Sequence, residues 1–141
     1  MDAIDEKLLL TLRENGRAST AQLARLVGRS RTSVQSRIER LEKQGIITGY
    51  GVRLAPEHVS GAVRAHVMIK VAPKESRAVI AALRGIPQVR LLHSVSGDVD
   101  LIAVAAASSV AEMDQVIDRI GELDGVERTT SSIILSTKFE R

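Results

Sequence analysis

The feature that most constrains this 141-residue chain is a pair of short helical patterns separated by one glycine. Residues 20–27 form the first pattern, Gly28 turns the chain, and residues 31–44 form the second. In each pattern the apolar residues recur every three or four positions, so they share one helical face. Two short helices joined by a glycine turn, the second one basic on its outer face, are typical of a helix-turn-helix that enters the DNA major groove.

The outer face of the second helix carries side chains of the types that read DNA. Arg pairs with guanine, Gln pairs with adenine, and Ser or Thr bonds to several base edges or to phosphate. Ser30 is positioned to cap this helix, and a helix N-terminus also attracts phosphate. Arg17–Lys43 contains seven Lys and Arg residues and two Glu residues. We therefore predict DNA contacts from Arg29, Arg31, Thr32, Ser33, Gln35, Ser36, Arg37 and Arg40.

A basic helix has a simpler interpretation, which is a solvated surface with ion pairs four residues apart. Glu39 and Lys43 fit that spacing. The preceding helix and the glycine turn favour DNA binding over this interpretation.

The charge of the chain is unevenly distributed. Residues 1–60 contain ten Lys and Arg against seven Asp and Glu, whereas residues 61–141 contain ten of each. The basic excess therefore lies with the helix-turn-helix, as expected if that half meets double-stranded DNA. The only aromatic residues are Tyr50 and Phe139, which argues against binding of single strands by base stacking.

The absence of cysteine excludes disulfides and thiolate metal sites, and we predict no metal site and no cofactor. The chain starts without an apolar signal segment and has no apolar run long enough to cross a membrane. A cytoplasmic location is therefore expected.

Composition changes along the chain predict two domains. Residues 1–54 form the DNA-binding domain, with a helix at 2–14 before the motif and a short extended element at 46–54 after it. Residues 55–61 have the composition of a linker. Residues 62–141 form the second domain.

The second domain has the alternating apolar pattern of strands, interrupted by two helical patterns. The order βαββαβ predicts an α+β fold, a ferredoxin-like sandwich with both helices on one face of an antiparallel sheet. The other face is left open, and we expect Leu101, Ala103 and Ala105 to be too many for two short helices to cover. A large exposed apolar face indicates oligomerisation. The predicted elements are a strand at 63–71, a helix at 74–84, strands at 89–95 and 99–106, a helix at 110–120 and a strand at 126–135.

Short stretches in both halves carry a family resemblance, in one order along essentially the whole chain. They include Leu23-Ala24, Gly28-Arg29-Ser30, Arg37-Ile38, Leu41-Glu42, Gly45-Ile46-Ile47, Gly49-Tyr50, Gly97-Asp98-Val99-Asp100, Gly125-Val126 and Thr129-Thr130-Ser131. With these stretches the chain resembles the Lrp/AsnC (feast/famine) family of prokaryotic transcription regulators. The resemblance implies a winged-type helix-turn-helix domain followed by a ligand-binding domain.

The resemblance also implies partners. It implies homodimers that pair through their sheets and assemble into tetramers or octamers, and a small effector, commonly an amino acid, bound between dimers near the Gly-Asp-x-Asp loop. Many members have an aromatic residue where this chain has Val99. Considered without the resemblance, Gly97-Asp98 is better interpreted as a hairpin turn only. The implied effector-binding residues are Gly97, Asp98, Val99, Asp100, Thr129 and Ser131.

Two other functions are compatible with the same architecture. Sirohaem decarboxylases resemble this family in fold, but His58, His66 and His93 have no nucleophile or carboxylate partner at a suggestive spacing. An assembly partner that has lost DNA binding is the other alternative. The basic second helix favours a regulator with no catalytic residues.

Overall fold

The computed structural model describes residues 1–55, 58 and 63–140. Their contacts divide the chain into two compact units, Met1–Arg53 and Leu54–Arg141. The division falls next to residue 54, where the DNA-binding domain was predicted to end. Of the predicted linker at 55–61, only Ala55 and His58 lie among the described residues.

The first unit contains three helices, α1 (Ala3–Glu14), α2 (Thr20–Val27) and α3 (Arg31–Lys43). Their bounds agree with the three predicted helices to within one residue. Each helix turns its apolar stripe inward, which is how an amphipathic helix removes apolar surface from water. The buried apolar cluster between them consists of Leu8, Leu23, Ala24 and Val34.

The short extended element predicted at 46–54 is not part of any sheet, because residues 46–55 form no strand in the described structure. The N–H groups of Ile46 and Ile47 donate to the Leu41 carbonyl at 2.9 and 3.2 Å, so this segment first closes the end of α3. The rest of the described first unit has no strand that could pair with it. Gly49 and Gly51 also lower its strand propensity.

The second unit confirms the predicted α+β order βαββαβ. Its four strands form one antiparallel sheet in the order β2-β3-β1-β4, so β2 and β4 are the edges. The elements are β1 (Val63–Val71), α4 (Ser76–Arg84), β2 (Val89–Ser94), β3 (Leu101–Ala107), α5 (Val110–Gly121) and β4 (Val126–Ile133).

Both helices cover the same face of this sheet. Along β1 and β3 every second residue is buried, as the two-residue period of a strand requires. Val67 lies opposite Ala103 and Ile69 lies opposite Leu101, so the two strands turn the same alternate residues to the helices. The helices contribute Val79, Leu83, Met113, Val116 and Ile120 to this core.

The prediction of which β3 residues lie on the open face was wrong. Leu101, Ala103 and Ala105 are buried under the helices, because they pair with the buried residues of β1. Alanine side chains at 103 and 105 are small enough for two short helices to cover. The half-buried Ile102 and Val104 lie on the open face instead. An open, partly apolar sheet face therefore exists, but it carries the opposite set of residues.

Gly125 generates a test of this packing. Its φ is +92°, and a Cβ added there would lie 2.7 Å from the Cβ of Glu75 and 3.0 Å from Cγ2 of Val79. Gly97 has a φ of +111° but no atom within 4 Å of an added Cβ. We expect Gly125→Ala to lower the free energy of unfolding by about 2–5 kcal/mol and Gly97→Ala by about 1–2 kcal/mol, because only the first adds a clash to the backbone cost. Urea denaturation followed by circular dichroism measures both; equal losses would contradict the close packing at Gly125.

Candidate DNA-binding surface and effector loop

Local backbone geometry places α3 after a sharp turn. Gly28 ends α2 in the left-handed region, at φ 64° and ψ 42°, a conformation that glycine adopts without steric cost. The N–H of Arg29 donates to the Ala24 carbonyl at 3.0 Å. Ser30 then caps α3, its Oγ accepting from the N–H of Ser33 at 3.2 Å. The predicted cap at Ser30 is therefore confirmed.

Most of the predicted DNA contacts are exposed on or just before the first turns of α3. Ser33 is an exception because it is half-buried, and its backbone N–H already donates to Oγ of Ser30. The side-chain amide nitrogen of Gln35 donates to Oε1 of Glu39 at 3.1 Å. The exposed members of the set are Arg29, Arg31, Thr32, Gln35, Ser36 and Arg40.

Three arginines surround a depression at the turn between α2 and α3. The depression has a volume of about 690 Å³ and is lined by Arg25, Arg29 and Arg31 together with Gly28 and Ser30. None of these arginine side chains forms an ion pair among the described residues. Three unpaired guanidinium groups beside a helix N-terminus attract phosphate, since charge and free backbone N–H groups act in the same direction.

Arg37 and Arg40 lie in a different environment, an ion-pair cluster with the start of α1. Nη1 of Arg37 lies 2.9 Å from Oδ1 and 2.7 Å from Oδ2 of Asp2, and 2.9 Å from Oδ1 of Asp5. Nη2 of Arg40 lies 2.9 Å from Oδ2 of Asp5. The Arg37 side chain is 21% exposed, against 51% for Arg40. Their predicted DNA contacts stay predictions, and for Arg37 the ion pairs occupy the guanidinium.

The carboxylates of this cluster are held in the ionised form. The hydrogen bond from Arg37 lowers the pKa of Asp2 to about 2, and the N–H of Asp5 adds to this effect. For Asp5, burial acts to raise the pKa, but hydrogen bonds from the Asp2 N–H and from Arg37 outweigh it, so the pKa is lowered. The same contacts raise the pKa of Arg37. The cluster is therefore fully charged near neutral pH.

Asp2 and Asp5 were not among the predicted functional residues. Asp2 caps α1, and its backbone N–H donates back to the Asp5 side chain, so both look at first like residues of a capping box. The signal that could have identified them is a matched spacing. The two aspartates are three residues apart on α1, and Arg37 and Arg40 are three residues apart on α3.

The predicted effector loop joins β2 to β3. Gly97 has a φ of +111°, in the region that favours glycine, and Gly97 and Asp98 are exposed, while Val99 is half-buried. The side chain of Asp100 is occupied within the fold. Its Oδ2 accepts from the N–H of Val71 at 2.8 Å and lies 3.9 Å from Nζ of Lys70. The Asp100 side chain is nevertheless 44% exposed, so both Asp98 and Asp100 present a carboxylate at this loop, and only the Oδ2 atom of Asp100 is engaged in these contacts.

The two other predicted effector residues lie on a different strand. Thr129 and Ser131 are on β4, opposite Ile69 and Val67 of β1. Because β1 separates β4 from β3, these side chains are two strand spacings, about 10 Å, from β3. Their partners Ile69 and Val67 are buried under the helices, so Thr129 and Ser131 belong to the same face of the sheet as those residues.

No group of three or more His, Asp or Glu side chains among the described residues is arranged to hold a metal ion. No described helix is both long and apolar enough to cross a bilayer. His66 and His93 form no hydrogen bond or ion pair with a carboxylate among the hydrogen bonds of the described residues.

Comparison with known proteins agrees with both halves of this description. The family model of the winged helix-turn-helix DNA-binding domain matches residues 1–48. The model of the Lrp/AsnC ligand binding domain matches residues 64–141.

Individual relatives match the chain over almost its whole length. The HTH-type transcriptional regulator LrpA of Mycobacterium tuberculosis is 35% identical, with 99% of this chain and 93% of the relative covered. A feast or famine regulatory protein of M. tuberculosis, solved in complex with L-methionine, is 34% identical with a TM-score of 0.86, covering 99% and 95% of the two chains. A transcriptional regulator of Neisseria meningitidis, also solved with L-methionine, is 27% identical with a TM-score of 0.87, covering 99% and 93%. With a helix-turn-helix unit, a βαββαβ unit and these matches along its length, the chain belongs to the Lrp/AsnC family of transcriptional regulators.

Proposed function

We propose that this chain is a sequence-specific DNA-binding transcriptional regulator whose DNA binding or assembly is modulated by a small effector, an amino acid. The observation that carries the proposal is the exposed first half of α3 beside the unpaired Arg25, Arg29 and Arg31. Exposed Arg31, Thr32, Gln35 and Ser36 supply groups for base edges, and the arginines at the turn supply phosphate contacts. Such a protein acts on chromosomal DNA, so we place it in the cytoplasm.

The amino-acid effector is proposed from two relatives that were solved with L-methionine. In this chain the exposed Asp98 carboxylate can accept from an α-ammonium group, and Gly97 lets a ligand approach the backbone. Thr129 and Ser131 lie about 10 Å from β3 in the same chain, and the family resemblance implies an effector bound between dimers. We therefore propose an effector site that assembly completes.

Assembly is proposed to use the open face of the sheet. Met68 lies opposite Ile102 and His66 opposite Val104 on that face, and the apolar members of these pairs are half-buried. Covering them with the same face of a second copy gives a two-fold dimer, and the family resemblance extends this to tetramers or octamers. Two recognition helices related by a two-fold axis would read a pseudo-palindromic site.

A regulator is favoured over a sirohaem-decarboxylase-like enzyme. Catalysis on such a substrate requires positioned histidine and arginine groups, whereas His66 and His93 lie on exposed strand positions that the proposed dimer would cover. The curated relatives that match along the chain are named as transcriptional regulators.

Replacing Arg31 by Ala tests the DNA-binding surface. We expect Arg31→Ala to weaken binding to a duplex selected from a random library by about 1–3 kcal/mol if Arg31 reads a base. If it binds a phosphate, the log–log salt slope should instead change by about 0.9. Arg77→Ala removes the same charge from an exposed position of α4 and is the control. Fluorescence anisotropy at several salt concentrations measures both, and equal behaviour of the two variants would contradict the assignment.

Replacing Asp98 by Ala tests the effector loop. The twenty amino acids, L-methionine first, are screened by thermal shift against the wild type. We expect Asp98→Ala to bind the best ligand at least about tenfold more weakly, since one charge-assisted hydrogen bond is lost. The thermal shift that this ligand produces should then be smaller or absent. Asp114→Ala removes an exposed carboxylate from α5 as the control. If Asp98→Ala binds as tightly as the control, the loop is only a hairpin turn.

Replacing Val104 by Glu tests the open face. A carboxylate in the centre of a paired apolar face would be buried without a partner, which destabilises the interface strongly. Sedimentation equilibrium should find the wild type at a multiple of 15.2 kDa and Val104→Glu near 15.2 kDa. Val110→Glu, at an exposed position at the start of α5, should remain associated. A monomeric wild type would refute the sheet-pairing model.

A further inference from the structure

Asp5 is the one charged residue that is buried in the described part of the chain. Its side chain is 1% exposed, and both of its oxygens are occupied. Oδ1 accepts from Arg37, and Oδ2 accepts from Arg40 and from the N–H of Asp2. A buried carboxylate is costly unless it is paired and hydrogen-bonded, so removing both arginine partners would leave the Asp5 charge uncompensated.

The apolar contacts between α1 and α3 hold the two helices together but include no directional hydrogen bond. Leu8, Val34 and Ile38 pack in the same cluster, but apolar attraction is non-directional. Charge-assisted hydrogen bonds to guanidinium groups, by contrast, have a defined geometry. The two ion pairs to Asp5 therefore add a directional restraint on the rotation and sliding of α3 to the one that apolar packing supplies.

Rotation of α3 decides which side chains reach a DNA groove. Arg37 and Arg40 are three residues apart and lie on one face of α3. The exposed Arg31, Thr32 and Gln35 belong to the same rigid helix. Since successive residues are about 100° apart around a helix, fixing one face fixes the direction of the others.

We propose that Asp5 is a positioning residue for DNA recognition: it holds α3, through Arg37 and Arg40, in the rotation that presents the base-reading side chains. Arg37 is then an internal partner of α1 and does not read a base. Asp2 supports the same arrangement from the surface, because its carboxylate bonds to Arg37 from the other side. The inference rests on the proposed DNA-binding function.

The sign of the effect distinguishes positioning from simple electrostatics. Asp5→Asn removes a negative charge from a DNA-binding unit, and long-range attraction alone would then strengthen binding. Positioning predicts the opposite. Glu6→Gln is the matched control, because Glu6 is the next residue of α1, is exposed, and has no side-chain hydrogen bond or ion pair among those described.

The experiment compares full-length wild type, Asp5→Asn and Glu6→Gln on two duplexes at a temperature where all three are folded. One duplex is selected from a random library with the wild type, and the other is an unrelated sequence. We expect Asp5→Asn to lose roughly five- to hundredfold in affinity for the selected duplex, the equivalent of one base contact. Its affinity for the unrelated duplex should stay within about twofold of the control, because the phosphate contacts persist. For the same reason the slope of log affinity against log salt concentration should stay within about 0.3 of the control.

Each contrary result has a defined meaning. Equal affinity of Asp5→Asn and Glu6→Gln for the selected duplex would overturn the inference and leave the regulator intact. An equal loss of affinity for both duplexes, with a changed salt slope, would overturn it as well. That result would mean that Arg37 and Arg40 bind phosphate directly in the wild type. A wild type that selects no sequence would refute the proposed function before any variant is compared. Merely lower stability would change neither the ratio of the two affinities nor the salt slope.

A second variant keeps the test valid if Asp5→Asn does not fold. Asp2→Asn retains a residue that caps helices well but removes the negative charge beside Arg37. We expect Asp2→Asn to lower the ratio of the affinities for the selected and the unrelated duplex, by a smaller factor than Asp5→Asn does. Unchanged preference would count against the inference.

Discussion

The two-residue period of β1 and β3 is the constraint on which the second unit depends. Pairing Val67 with Ala103 and Ile69 with Leu101 turns one set of side chains to the helices and leaves Met68, Ile102 and Val104 on the other face. Small alanines on the covered face let two short helices complete that core. No internal element covers the open face within the described residues of this unit, so its half-buried apolar residues account for the proposed dimer.

In the first unit, positive charge serves two separate purposes. Arg37 and Arg40 are neutralised inside the unit by Asp2 and Asp5, so they contribute little to the field outside it. Arg25, Arg29 and Arg31 form no ion pair with any residue that the structure describes, and they surround the turn that leads into α3. The surface able to attract DNA is therefore smaller and more localised than the count of basic residues suggests, and it coincides with the helix N-terminus that also favours phosphate.

The loop between β2 and β3 divides its acidic groups in a similar way. Asp100 satisfies the N–H of Val71 and so helps to hold the end of β1 against β3. Asp98 and Gly97 remain exposed beside it. The loop therefore presents Asp98 without a partner among the described residues, next to an Asp100 carboxylate that is bonded through one oxygen.

The sequence by itself determined the secondary structure and the class of the protein. Helical periodicity, the cap at Ser30 and the strand alternation at 63–71 are local signals, and they predicted the three helices and the βαββαβ order. Which face of β3 is covered was predicted wrongly, because Leu101–Ala107 is apolar on both faces and only pairing with β1 decides between them. The segment at 46–54 was predicted as extended, but a strand requires a partner that the described first unit lacks. Only the tertiary structure separated Arg37 from Arg31, since both are basic residues of one helix and the buried Asp5 that distinguishes them is 32 residues away in the chain.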